Sequence, residues 1–504
     1  MFCFRIRDCE NHYFSILLDL VYFSHRREVC LLYPKKYFLN LYERFSFKAS
    51  KYNILVIFLF SFWYVSLFPG RLGFDYSEMI RIIHRGESTA WWGAGFFWFV
   101  KITSLNGAQI FIPSLIGYIT LTFAIHFFVN SLTLENIIRR RVILTIMATP
   151  FYGVFGVTVS HDVFQTSGII LFISLNLRLY LLKEHLTIKE FLILLYAIFC
   201  IGMTQTGIFI SLFFIAMLVV KGNLRLHISF SLVLLSVIFY LVPNIGINEN
   251  NKTANLLNNF MPMLLLADIK CVAQHPQAEI TPLQWRYLES IAPIENWKKP
   301  VTCSMVDLLL PGIDNDISRL AKKVKLDGNL LKVYIEIVAK NPAIPFISHV
   351  QRSRVALPPP FFQPPENQIT WDVRIPIGEG TNTALQSGPE LLHPSIDEPS
   401  VANRPALLKP LEVLAQIPTL IINQSSWFWS WGGMWLWIIL FYSLKHLKLK
   451  LNQILVIFLP LELLHASLFL IGPGSLGRYV MSSILLGIVL LIASIHMKLI
   501  QWKI

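Results

Sequence analysis

The sequence predicts an all-α polytopic membrane protein, and two observations lead to that fold class. Of the 504 residues, 54% are hydrophobic and only 14% are charged, a balance that differs from the composition of soluble domains. Apolar runs of roughly 17–25 residues, long enough to cross a bilayer as a helix, recur along most of the chain. They are too long and too continuous for barrel strands, so helices remain as the spanning element.

About ten transmembrane helices follow from these apolar runs. The predicted spans are residues 53–69, 108–130, 142–157, 163–182, 190–204, 207–220, 227–244, 427–444, 452–471 and 479–499. One class of loops between them is short and basic, with Arg139-Arg140-Arg141 as its clearest member. Because basic loops stay on the cytoplasmic side, we expect cytoplasmic termini and a location in the plasma membrane.

The same rule turns four segments outward, and the longest of them is an insertion. The outward segments are residues 70–107, 158–162, 245–426 and 472–478. The predicted regions are a cytoplasmic or interfacial segment at 1–52, a transmembrane module at 53–244, an α-rich and partly irregular extracytoplasmic insertion at 245–426, and a closing transmembrane module at 427–504. The net charge of +13 is spread over separate loops, which argues against nucleic-acid binding.

The insertion contains two of the six cysteines and a basic stretch close to its proline-rich part. Cys271 and Cys303 have a separation compatible with a disulfide, which an oxidising exterior permits, although two unpaired thiols remain the alternative. Arg352 and Arg354 in "HVQRSRVALPPP" fit a return of the chain to the membrane interface.

The first outward loop contains the charged stretch "GFDYSEMIRIIHRGE", residues 73–87. As a helix it is amphipathic. Its apolar side has Tyr76, Met79, Ile80 and Ile83, and its polar side has Glu78, Arg81, His84 and Arg85. Asp75 stands at the beginning of this helix. It fits an N-cap with Glu78 in a capping box, and it also fits a functional carboxylate held in a fixed position.

Three further outward features accompany that stretch. The aromatic run at 91–99 fits an interfacial belt or a floor for a sugar ring or isoprenoid tail. "TVSHDVFQ" places His161 and Asp162 at the start of the fourth span, where an acid is a functional candidate or a plain helix cap. "GPGSLGRYV" places Arg478 and Tyr479 before the last span, where the arginine suits a phosphate or simply snorkels.

In order and placement these segments resemble the GT-C class of polytopic glycosyltransferases. The likeness lies in "PGRLGFDYSEM" with the aromatic run after it, in "VTVSHDVFQTSGIILF" and in "GPGSLGRYVMSSILLGIVLL". It covers most of residues 50–500 as a pattern rather than as a diagnostic string. Two departures stand out: the first loop has no Asp-Asp or Glu-Asp pair, and His161 stands where related sequences often have a basic residue.

The resemblance implies transfer of a sugar from a polyprenyl-phosphate carrier to a lipid, glycan or protein acceptor. Asp75, with Glu78 beside it, takes the catalytic carboxylate role, since a base must accept the proton of the attacking hydroxyl. Arg478 and Tyr479, with Arg81 and Arg85, are expected at the donor phosphate. Asp162 and His161 are expected to position the donor or to hold a divalent cation, Mg²⁺ or Mn²⁺.

Two other classes of protein fit the same residues. A transporter or flippase for a lipid-linked or anionic substrate stays open, because the polar residues His126, Gln205 and Glu462 lie within or near spans. The clustering of most polar groups at one interface favours surface chemistry instead. The third class is a non-catalytic membrane assembly protein, in which the insertion binds a partner.

Overall fold

The computed structural model of the chain is predominantly helical, which confirms the predicted helical class. It describes residues 51–68, 70–72, 79–80, 82–84, 86–88, 93–181, 187–204, 207–220, 226–245, 261–301, 303, 310, 313, 320, 324, 326–353, 356–357, 410–411, 414, 431–471 and 480–501. The chain separates into two compact units, Met1–Ile54 and Leu55–Ile504, and nearly all of the described residues belong to the second.

The first half of the described chain consists of nine helices and one pair of short strands. In order these are α1 Lys51–Ser66, β1 Arg71–Leu72, α2 Ala94–Thr103, α3 Phe111–Ser131, α4 Asn136–Met147, α5 Pro150–Gly156, β2 Thr158–Val159, α6 His161–Leu181, α7 Ile188–Gly202, α8 Gly207–Val220 and α9 Leu226–Ile245. Leu, Ile, Val and Phe are the commonest residues in most of these helices, as expected of apolar helices that pack against one another.

The remaining described helices form the insertion and the closing segment. They are α10 Met261–Ala273, α11 Pro282–Ile291, α12 Ile294–Lys298, α13 Gly328–Lys340, α14 Ala343–Arg352, α15 Gly432–Lys445, α16 Leu451–Ile457, α17 Leu459–Ile471 and α18 Met481–Gln501. Helices α10 to α14 bury their own apolar core around Leu266, Trp297 and Leu330. The described part of the insertion is therefore a packed helical module.

Helix α6 lies at the centre of the apolar helices outside the insertion. It packs between α3 and α7 and also contacts α16, α17 and α18, and Ile169, Phe172 and Leu177 on it are fully buried. Its burial on several sides explains the long apolar stretch in its middle.

Two described helices, α3 and α6, are long and apolar enough to cross a membrane. The pair α16 and α17 makes a third if it counts as one span, because the two helices meet at a bend of 73°. Each predicted span coincides with helix over most of its length, but several of these helices are short. The predicted number of about ten spans is not confirmed.

Two predicted spans are interrupted, each beside a proline. The span expected at 142–157 divides into α4 and α5, because the Thr149 side chain caps the new helix and Pro150 starts it. The span expected at 452–471 breaks at Phe458, two residues before Pro460. There the Asn176 amide of α6 donates to the carbonyl oxygens of Val456 (3.2 Å) and Ile457 (3.1 Å), which stabilises the broken helix end.

Candidate functional site

The first two predicted outward loops are joined by backbone pairing. Strand β1 pairs in parallel with β2, with Arg71 opposite Thr158 and Leu72 opposite Val159. The chain thus leaves the end of α1 and runs beside the segment that enters α6. The two segments thus meet in the described structure, while their placement on the outer face of a membrane stays a prediction.

Close packing at Gly70 brings the two segments together. Gly70 has φ +124°, and a Cβ there would lie 2.6 Å from the Ser114 side chain of α3. The Ser114 hydroxyl donates to the carbonyl oxygen of Val157 at 2.7 Å. Because only glycine fits this backbone geometry and this space, residue 70 fixes where the loop begins.

Asp162 lies buried in the first turn of α6, with 2% of its surface exposed. The Ser160 hydroxyl accepts from the Asp162 backbone N–H at 3.0 Å and donates to carboxylate Oδ2 at 3.0 Å. The His161 ring Nε2 lies 3.4 Å from Oδ1. Ser160 thus provides the helix cap that Asp162 was expected to provide as the simple alternative. The carboxylate instead sits where a helix dipole favours negative charge.

The amphipathic pattern of the first loop is confirmed where the loop is described. Met79, Ile80 and Ile83 are buried in a core with Phe96 and Phe164, and His84 is exposed. Six predicted site residues lie outside the described residues: Asp75, Glu78, Arg81, Arg85, Arg478 and Tyr479. Their roles stay predictions.

The aromatic run after that loop is core rather than an interfacial belt at two of its positions. Phe96 and Phe97 are fully buried, since α2 packs against other helices. The Phe96 ring lies 5.8 Å from the His161 ring and 6.0 Å from that of Phe164, centroid to centroid. An aromatic wall therefore stands beside the His161–Asp162 pair.

A divalent cation at this site would have two protein ligands among the described residues. Asp162 and His161 are adjacent, and no group of three or more metal-ligating side chains is found in the part of the chain that the structure describes. Mg²⁺ sites often have one or two protein carboxylates completed by phosphate and water, so the divalent cation expected here stays a prediction. His161 fits Mn²⁺ better than Mg²⁺, because imidazole suits softer metals.

A second polar cluster, in the insertion, surrounds the buried carboxylate of Asp268 on α10. Arg352 Nη2 donates to Oδ1, while His349 Nε2 lies 3.0 Å and the Tyr334 hydroxyl 3.2 Å from Oδ2. His349 Nδ1 lies 3.1 Å from the carbonyl oxygen of Phe469 on α17. Both ring nitrogens of His349 thus lie within hydrogen-bond distance of oxygen atoms, and the ring bridges α10 and α17.

The cluster is electrostatically tuned toward an ionised aspartate. Burial alone raises the pKa of Asp268, but the hydrogen bond from His349 and the charges of Arg352 and His349 outweigh burial and hold that pKa below its ordinary value. Burial, followed by the charge of Asp268, raises the pKa of the Tyr334 hydroxyl. Tyr334 therefore remains a donor to the carboxylate.

The sequence reasoning missed this cluster. Arg352 lies in the segment expected to return to the membrane interface, but only 1% of its surface is exposed and it pairs with Asp268, so its charge belongs to the buried cluster. The available signal was "LLLADIKCVA", where a carboxylate and an ammonium two residues apart interrupt an apolar helix. Nearby, Lys270 donates to the carbonyl oxygens of Asn296 and Trp297.

Cys271 and Cys303 are joined in a disulfide, with Cα atoms 5.9 Å apart. The bond ties α10 to the segment after α12, beside Ser348 of α14. It lies next to Asp268 along α10 and helps to hold the cluster in place.

Searches with the sequence and with the structure find no matching protein-family model, curated protein or solved structure.

Proposed function

We propose that the chain is an integral-membrane glycosyltransferase of GT-C-like organisation, with about ten spans, in the plasma membrane. It would move a sugar from a polyprenyl-phosphate carrier to a lipid, glycan or protein acceptor on the outer face. The observation that supports this best is the parallel pairing of β1 with β2. Asp75 follows Leu72 by three residues, and Asp162 follows Val159 by three residues.

The pairing supports a shared site, because it limits how far apart the two carboxylates can lie. Three residues of extended chain reach about 10 Å. Each carboxylate therefore lies within about 10 Å, along the chain, of the same β1–β2 pair. A site that must hold both an acceptor hydroxyl and a donor phosphate needs charged groups from separate loops at such a distance. The buried, serine-bonded Asp162 supplies one fixed negative group beside an aromatic wall.

In the proposed reaction the acceptor hydroxyl attacks the anomeric carbon of the donor sugar. The new C–O bond forms as the bond from the sugar to phosphate breaks, the proton passes to Asp75, and the carrier phosphate leaves with the electron pair. A single displacement of this kind inverts the anomeric configuration. Arg478, with Arg81 and Arg85, is assigned to the leaving phosphate, because guanidinium groups bind it through charge-assisted hydrogen bonds.

The test is sugar transfer by the purified full chain from a panel of radiolabelled polyprenyl-phosphate sugars. Asp75→Asn keeps the shape of the side chain but removes the base, so we expect its kcat to fall by roughly 100-fold or more. Glu135→Gln is the matched control, since it makes the same change at an exposed carboxylate before α4. Asp162→Asn should mainly raise KM for the donor.

The outcomes separate the proposals. Equal transfer by wild type and Asp75→Asn would return Asp75 to the role of a helix cap. Activity that disappears with a chelator and returns with Mg²⁺ or Mn²⁺ would support the cation at Asp162. Absence of transfer across the whole panel would favour a transporter or a non-catalytic assembly protein.

One observation favours a transporter or flippase as the second candidate. Helices α16 and α17 form a bent pair, with Glu462 partly buried in the first turn after the break. Transporters often place broken helices and ionisable groups near the substrate path. If this candidate is right, gradient-driven uptake into proteoliposomes will be lost in Glu462→Gln and retained in Asp75→Asn, the reverse of the pattern expected for the transferase.

A further inference from the structure

Helix α14 turns several polar side chains inward and two large apolar side chains outward. The side that packs inward includes Ser348, His349 and Arg352. The outward side includes Phe346 and Ile347, which are 59% and 53% exposed. A helix on a water-facing surface normally shows the opposite arrangement. The outward side of α14 therefore requires an apolar partner.

The position of α14 indicates what that partner is. Its Phe346 ring lies 6.2 Å from the ring of Phe469 in the last two turns of α17, and His349 Nδ1 lies 3.1 Å from the Phe469 carbonyl oxygen. Helix α17 is the second half of a candidate membrane span. If that span crosses the bilayer, its last turn lies at the boundary between headgroups and acyl chains. Leu470, in the same turn, is 64% exposed.

Two further hydrogen bonds hold the chain after α14 beside the closing helices. His465 of α17 contacts the carbonyl oxygen of Ala356 through Nδ1 at 2.7 Å, and the indole N–H of Trp431 donates to the Leu357 carbonyl oxygen at 2.6 Å. Together with the His349 contact, these bonds fix the chain just after α14 to the closing helices. The exposed side of α14 is thereby continuous with the apolar surface of a candidate span.

We infer that α14 lies flat in the membrane interface, with Phe346 and Ile347 inserted among the lipid acyl chains. The charge of Arg352 on α14 is paired with Asp268 inside the protein. The outer side of the helix can therefore face lipid without leaving that charge unpaired. An apolar side of this kind typically enters 5–10 Å below the headgroups. The insertion would then be held against the bilayer as well as against the protein. This inference depends on membrane insertion but not on the proposed reaction.

The test places a genetically encoded fluorescent amino acid at position 346, and separately at 347, in the full chain reconstituted in nanodiscs. The same amino acid at Glu289, an exposed charged position on α11, is the control. Lipids carrying bromine near the headgroup end of the acyl chain should reduce emission at 346 and 347 by roughly twofold. Emission at 289 should be unaffected by lipid and sensitive to iodide in the water.

Each alternative result overturns the inference. Iodide quenching at 346 and 347 would show that the side faces water. Protection from both quenchers would show that protein covers it, either a second copy or another segment of this chain. Lipid quenching of equal size at 289 would show that contact with lipid is not specific to α14. Because the readout needs no activity, it remains valid if sugar transfer is absent.

Discussion

At the scale of single residues, three charged or polar side chains converge on the buried carboxylate of Asp268. A buried carboxylate is stabilised only if its acceptors are occupied, and here Arg352, His349 and Tyr334 occupy them. Among the described residues, Arg352 Nε and Nη1 have no hydrogen-bond partner, so the guanidinium depends on this aspartate for its charge balance. The cluster links three helices of the insertion to the end of α17.

Asp268→Asn tests that dependence. The substitution leaves a buried guanidinium without its counter-charge, so we expect a loss of about 3–5 kcal/mol in stability at neutral pH. Glu295→Gln, at an exposed position in the same module, is the matched control and should change little. Thermal unfolding of the purified chain measures both. Equal stability of the two variants would contradict the proposed charge balance.

The same substitution tests how stability depends on acid pH. The pKa of Asp268 is held below its ordinary value in the folded chain, so its contribution to stability is complete above the unfolded-state pKa of about 3.9. That contribution is lost as the pH falls through the lower folded-state pKa. The difference in Tm between wild type and Asp268→Asn should therefore narrow below about pH 4. A constant difference from pH 6 to pH 3 would refute this linkage.

At the scale of secondary-structure elements, proline and glycine positions decide where helices end and how closely they approach. Pro150 and Pro460 accompany breaks in two predicted spans, which hydrophobic periodicity alone did not reveal because the apolar pattern continues across each break. The sequence predicted the helices near their observed positions. It could not predict the breaks, since proline inside a membrane helix can also be accommodated by neighbouring helices.

Gly153→Ala tests the packing between α1 and α5. A Cβ at 153 would lie 2.0 Å from the Trp63 ring, whose indole N–H donates to the Met147 carbonyl oxygen at 2.8 Å. The ring must shift, and overpacking of this kind costs about 1–3 kcal/mol. Gly328→Ala, where a Cβ meets nothing within 4 Å, is the control. Tm measurements that rank the two variants equally would show that Trp63 moves freely.

At the scale of the whole molecule, the helical class could be predicted from the sequence, whereas the pairing of β1 with β2 became visible only in the fold. Local charge patterns singled out Asp162 as a candidate, because an acid at the start of an apolar run stands out. The buried cluster could not be found in this way, since Asp268, His349 and Arg352 come from separate helices. Only the tertiary fold brings them together.

The state of the disulfide in cells shows on which side of the membrane the insertion lies. Closing a loop of 32 residues between Cys271 and Cys303 should stabilise the insertion by about 3–4 kcal/mol. In cells, these two thiols should react with maleimide only after reduction, because disulfides persist in an oxidising compartment. The Cys271→Ser, Cys303→Ser double variant should unfold at lower temperature. Prompt labelling of both thiols without a reductant would place the insertion on the cytoplasmic side.

The pairing of β1 with β2 also sets an order of events during protein synthesis. Helices α2, α3, α4 and α5 lie between the two strands, so the partner of β1 leaves the ribosome only after all four have been made. At roughly 5–20 residues per second, the first loop waits on the order of ten seconds with its backbone unpaired. A nascent chain arrested before residue 158 therefore lacks the partner of β1, and β1 can pair only when α6 is about to be made.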